Sequence, residues 1–122
     1  MSTYETAVAR YFAAWNAAEA VALKQAVADA WSEDGVYTDP LADVSGHEGI
    51  AGLIAGVHEQ FPGHEFRLTG DVDGHHGIAR FSWELVSVAD GSAPVAGSDV
   101  VTLAEDGRLR TVLGFLDRVP AV

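Results

Sequence analysis

Helical periodicity fills the first half of this 122-residue chain and strand periodicity the second, with one short extended segment between them. Tyr4, Val8, Tyr11, Phe12 and Trp15 fall on one stripe of a helix over residues 3–16. Ala20, Leu23, Val27 and Trp31 form the inner face of a second helix over 19–31, and Gly35 closes the connection that follows. Residues 35–39 read as a short strand that Pro40 stops, so Tyr37 and Asp39 share a face. Ile50, Leu53, Ile54, Val57 and His58 mark a third helix that starts near Ser45 and ends at Pro62-Gly63, with Gly52 and Gly56 as close-packing positions. Four strands over 65–72, 77–88, 95–103 and 108–119 complete the chain, joined by Asp73-Gly74, Asp90-Gly91 and Asp106-Gly107 turn signals. The expected fold is α+β: three N-terminal helices packed on one face of a curved, mainly antiparallel sheet that ends in a four-strand meander.

The length fits one domain spanning 1–122, able to bury roughly two-thirds of its unfolded surface. The chain has no cysteine, which excludes a disulfide framework and a zinc-thiolate site. Eighteen acidic residues against seven basic ones give a net charge of -11, which repels phosphate backbones and anionic lipid surfaces. No nucleic acid or membrane partner is therefore expected. Without a basic, apolar leader or a run long enough to span a bilayer, the chain reads as soluble and cytoplasmic.

Three polar residues occupy places where the local pattern asks for apolar ones: Tyr11 in the buried stripe of the first helix, Asp39 before Pro40, and Asp99 inside an apolar strand. Burying an unpaired carboxyl costs several kcal/mol, so two carboxyls and a phenol directed at one apolar cavity point to a site that shifts pKa values and moves protons. Each has a plainer alternative. Asp39 is a base or a turn cap; Tyr11 is a donor to a developing oxyanion or a core phenol. Asp99 is held protonated by Gly97, Val101 and Leu103 on its own face, or is ionised and paired with Arg80 of the neighbouring strand. Arg80, Ser82 and Glu84 share one face of their strand and Phe81, Trp83 and Leu85 the other, and either set is open to line the cavity. His58 lies on the inner side of the third helix as a core or rim histidine, or a second acid-base group. His75-His76 suits a turn better than a metal site, since neighbours in a strand point to opposite faces.

The order of elements, with Arg10-Tyr11, Trp15-Asn16-Ala17, Tyr37-Thr38-Asp39-Pro40, Gly46, Ile50 and Gly114-Phe115-Leu116-Asp117, resembles the nuclear-transport-factor-2-like superfamily. Its members include ketosteroid isomerases, SnoaL-like polyketide cyclases and epoxide hydrolases. The resemblance implies a cone-shaped α+β barrel. It is specific for fold rather than function, because the barrel hosts several chemistries. Against the ketosteroid isomerases it implies Asp39 as the base, with Tyr11 and a protonated Asp99 as the oxyanion hole. Against the epoxide hydrolases it fails, because their two aspartates are replaced by Ser82 and Gly114, although Arg80 matches their arginine.

The expected function is therefore a cofactor-free acid-base enzyme, with no metal, acting on a carbonyl-containing, largely apolar small molecule through an enolate. The alternatives are a SnoaL-type cyclase closing a ring by intramolecular aldol reaction, or a non-catalytic binder. The expected ligand pocket comprises Trp15, Trp31, Tyr37, Leu53, Ile54, Val57, His58, Phe61, Arg80, Ser82, Val101 and Phe115. An apolar outer sheet face is expected to pair two copies into a homodimer, through Val112 and Leu116 if Leu113 and Phe115 point inward.

Overall fold

A computed structural model describes residues 1–120, so the last two residues of the expected 1–122 domain lie outside the description. The chain runs α1 (Thr3–Asn16), α2 (Ala20–Ala30), β1 (Trp31–Asp39), β2 (Ala42–Ser45), α3 (Gly46–Gln60), β3 (His64–His75), β4 (Ile78–Ser87), β5 (Val95–Leu103) and β6 (Leu109–Arg118). One curved six-stranded sheet has the order β2-β1-β6-β5-β4-β3. Every pairing is antiparallel except β1 with β6. Three helices pack on the inner face of the sheet, giving the α+β cone that the order of periodicities implied.

Local chemistry explains the helix ends. Ser2 and Glu5 cap α1 reciprocally, each side chain accepting from the other's backbone N–H. The Glu19 carboxylate accepts from Val21 and Ala22 at the start of α2.

Three sequence expectations are corrected. The second helix stops at Ala30, and Trp31 opens β1, fully buried in the core. Gly35 is thus not a terminator but a strand position pressed under that indole: a Cβ there would lie 2.7 Å from Trp31 Cδ1. Pro40 ends β1 after Asp39 as expected, and the chain then turns at Leu41 and returns as the edge strand β2, which the sequence reading lacked. Asp73-Gly74 is not a turn. The Tyr4 ring lies directly against Gly74, which keeps that residue in β3, and the reversal falls at His76, with φ 49°, and Gly77. The Tyr4 hydroxyl donates to the His76 carbonyl and fixes this turn to α1. Finally, Gly52 and Gly56 meet no neighbour within 4 Å and are not packing positions.

The register decides which side chains reach the interior. Tyr37, Val112, Val101 and Ala79 form one inward row across β1, β6, β5 and β4. Gly114, Asp99 and Phe81 form the next, and Leu116, Gly97 and Trp83 the third. The outward rows are Thr38, Leu113, Val100 and Arg80, then Phe115, Ser98 and Ser82. Val112 and Leu116 therefore face inward while Leu113 and Phe115 face outward, the reverse of the arrangement considered for a dimer surface.

Candidate active site

Between α1, α3 and the inner sheet face lies a cavity of about 620 Å³. Its walls are Trp15, Val57, Phe61, Phe66, Trp83, Leu85, Val95 and Leu116, and Leu41, Gln60, Val119 and Pro120 stand around its exposed rim. Three polar side chains interrupt this apolar lining toward its base: Tyr11, Tyr37 and Asp39.

Two phenol–carboxyl pairs organise the polar groups. On one side the Tyr11 hydroxyl and Asp99 Oδ2 are 2.7 Å apart, joining α1 to β5 across 88 residues of sequence. Asp99 is 1% exposed and lies beneath Tyr11 rather than on the cavity wall. Among the described residues its Oδ1 has no hydrogen-bond partner, and neither do the indole nitrogens of Trp15 and Trp83. Gly114 makes room for that oxygen: a Cβ at Gly114 would sit 2.7 Å from it. Burial dominates the electrostatics here and pushes the Asp99 carboxyl up to about 7, against the opposing pull of the Tyr11 hydroxyl and the nearby Trp83 indole N–H; the charges of Asp39 and Asp117 push it further up. Burial, with the adjacent Asp99 charge, likewise raises the Tyr11 phenol well above its ordinary range.

On the other side Tyr37 donates its hydroxyl to Asp39 Oδ2 at 2.7 Å. Asp39 Oδ1 accepts the backbone N–H groups of Leu41 and Ala42, both at 2.8 Å. Asp39 therefore caps the Pro40-Leu41 turn with one oxygen and turns the other toward the cavity wall and Tyr37. The turn-cap reading of its sequence context is thus met by Oδ1. Burial also raises the Tyr37 phenol, reinforced by the charges of Asp99 and Asp39.

Of the expected pocket residues, Trp15, Tyr37, Val57 and Phe61 line the cavity. Trp31, Ile54 and Val101 are fully buried in the core behind it, and Leu53 packs against that core from α3. His58 is directed at α1, where its Nε2–H donates to the Trp15 carbonyl at 2.7 Å, so it ties α3 to the end of α1. Arg80, Ser82 and Phe115 are corrected to the outer face, because the registers of β4 on β5 and of β5 on β6 turn Phe81, Trp83 and Leu116 inward. Arg80 binds Asp73 at 3.1 Å, so its pairing with Asp99 is excluded. Sequence reasoning missed Phe66, Trp83, Leu85, Val95 and Leu116 as wall residues. Choosing the apolar face of residues 77–88 would have found Trp83 and Leu85.

A family model of the SnoaL-like domain matches residues 8–112. A crystal structure from Agrobacterium tumefaciens, described as a candidate isomerase of the SnoaL-like family, is 42% identical; the match covers 96% of this chain and 99% of that one with a TM-score of 0.89. A candidate SnoaL-like polyketide cyclase from a Jannaschia species is 17% identical over 94% of this chain and 85% of its own, with a TM-score of 0.73, a likeness of fold alone. A de novo designed curved-sheet protein matches at 12% identity over 96% of this chain and 88% of its own, with a TM-score of 0.70. The backbone shape by itself thus carries no chemistry. No curated protein matches the chain.

The raised Asp99 pKa has a stability consequence with a definite sign. Below about pH 3.8 both folded and unfolded chains hold this proton; above it the unfolded chain ionises first, so this contribution to stability is lost as pH rises to about 7. Asp99→Asn keeps the shape and cannot ionise. Relative to the parent, the variant is expected to gain about 1.4 kcal/mol per pH unit between pH 5 and 6 and less as pH approaches 7, ~2 kcal/mol in all, in urea unfolding. A parent–variant difference independent of pH would show that Asp99 is ionised in the folded protein throughout.

Proposed function

The chain belongs to the SnoaL-like domain family, and from that premise we propose that it is an acid-base enzyme acting on a carbonyl-containing, largely apolar small molecule through an enolate. The observation that carries this proposal is the Tyr11–Asp99 hydrogen bond beneath an apolar cavity that Asp39 also lines. In this account Asp39 Oδ2 takes the proton α to the carbonyl, an oxygen fixed in place by a turn that holds its sister atom. Tyr11 supplies a donor to the oxygen on which negative charge develops.

Asp99 acts through Tyr11, since it does not line the cavity. Protonated, it donates to the phenol oxygen and leaves the Tyr11 O–H free to point at substrate. Ionised, it draws that O–H back to itself and the donor is lost. With Asp99 titrating at about 7, turnover should fall as pH rises through neutrality. Double-bond shift and intramolecular aldol closure both begin from the same enolate, so either outcome fits the machinery.

Asp39→Asn retains an oxygen to accept from Leu41 and Ala42 while removing the base. We expect at least ~100-fold slower solvent-deuterium exchange at the α-carbon of a simple cyclic enone or β-keto ester, measured by proton NMR. An unchanged rate would leave Asp39 as a turn cap, and a parent rate no greater than buffer would make the protein a binder.

We also place a homodimer on the outer sheet face. Phe115 is 61% exposed there and Leu113 42%, beside Val100, an apolar strip on an otherwise polar face. Phe115→Glu should then shift the protein from dimer to monomer in sedimentation at micromolar concentration; a parent chain that is already monomeric removes the idea.

A further inference from the structure

The second phenol of the site has no role in the scheme above, and its geometry gives it one. Tyr37 is 3% exposed, lines the same cavity as Tyr11, and spends its one O–H on Asp39 Oδ2, the oxygen that has to be free to receive a proton. The neighbouring donors to Asp39 are backbone groups of the turn and bind Oδ1, so among the described residues Tyr37 alone donates to Oδ2. Asp99, the group the family resemblance assigns to the oxyanion hole, is screened from the cavity by Tyr11.

We propose that Tyr37 is the second oxyanion donor and the latch on the base: an incoming carbonyl oxygen draws the Tyr37 O–H away from Asp39 Oδ2, so that ligand binding uncovers the base and completes a two-phenol oxyanion hole of Tyr11 and Tyr37. The inference rests on the acid-base function proposed above and changes its donor set.

The proton balance is simple. The α-hydrogen passes to Asp39 Oδ2, the electron pair of the broken C–H bond is delivered to the carbonyl oxygen as an enolate, and both phenols keep their own protons. When Asp39 returns its proton to carbon, the carbonyl is restored and Tyr37 returns to Oδ2. The displaced hydrogen bond is of the charge-assisted kind, so only a ligand oxygen that gains negative charge competes with it well.

2-Naphthol tests this, because its oxygen gains charge as its proton passes to Asp39 Oδ2, or to solvent where Asp39 is replaced, and naphthalene is the control of the same shape without it. Losing one hydrogen bond to a charged oxygen is worth roughly 10- to 100-fold in affinity. Tyr37→Phe should therefore weaken 2-naphthol by ~10-fold or more while naphthalene binding changes less than about twofold. The same loss should appear in an Asp39→Asn background, because the phenol acts on the ligand and not only through the carboxylate. Equal binding of 2-naphthol with and without the Tyr37 hydroxyl, in either background, would overturn the proposal and leave Tyr37 as a residue that merely orients Asp39. Naphthalene binding reports that the variant cavity is intact. In the unaltered protein the ζ-carbon resonance of Tyr37 should shift on addition of 2-naphthol and hold still with naphthalene; no difference between the two would again reject it. The readout is binding, so absence of deuterium exchange by the parent would remove the acid-base function without deciding whether Tyr37 binds the oxygen.

Discussion

The hydrogen bond between Tyr11 and Asp99 is the interaction around which the rest of this molecule is arranged. It connects the first helix to the fifth strand, and it places a carboxyl at 1% exposure among Phe81, Trp83 and Tyr11 with one oxygen unpartnered. A charge there would be desolvated without a cation to compensate it, since Arg80 lies on the opposite face with Asp73. Burial instead pushes the Asp99 carboxyl up to about 7.

The aromatic shell makes that environment, and small residues make the shell possible. Tyr11 packs against Phe12, Trp15, Trp31 and Phe81, with ring centroids 5.3 to 6.3 Å apart. Trp83 lies flat over Gly97, where any Cβ would collide with the indole, and Gly114 leaves the space beside Asp99 Oδ1. The strands of this sheet thus carry glycine opposite the bulkiest and most polar elements of the site, which lets Trp83 and Asp99 occupy one layer. Unpartnered buried polar atoms usually cost about 1–3 kcal/mol each. Among the described residues these atoms are Asp99 Oδ1, the Trp15, Trp31 and Trp83 indole nitrogens and Thr102 Oγ1.

Helices and meander were legible in the sequence because their signals are local and repeated. The stripe from Tyr4 to Trp15 gives α1 to the residue, and the pairing of β3 to β6 follows from turn and strand patterning. Errors arose where a distant contact overrides a local signal. Asp73-Gly74 has the composition of a turn, yet the Tyr4 ring, 70 residues away in sequence, holds Gly74 in the strand. Trp31 continues the helical period of α2, yet its indole is buried over Gly35 as a strand residue. For the site, Tyr11, Asp39 and Asp99 were visible as polar residues in apolar patterns. Their division into two phenol–carboxyl pairs was not, because nothing in the spacing of Tyr37 and Asp39 says that their side chains bond to each other. Arg80, Ser82 and Phe115 were drawn into the pocket because strand alternation defines two faces without saying which is inside.

The central claim is that Asp99 carries a proton in the folded protein near neutral pH because it is desolvated and has no cation beside it. Carboxyl-carbon NMR of Asp99 in the ligand-free protein tests this most directly, with Asp99→Asn identifying the resonance. The account predicts a titration midpoint near 7. A midpoint at or below ~3.9, the value for an unperturbed aspartate, would contradict it.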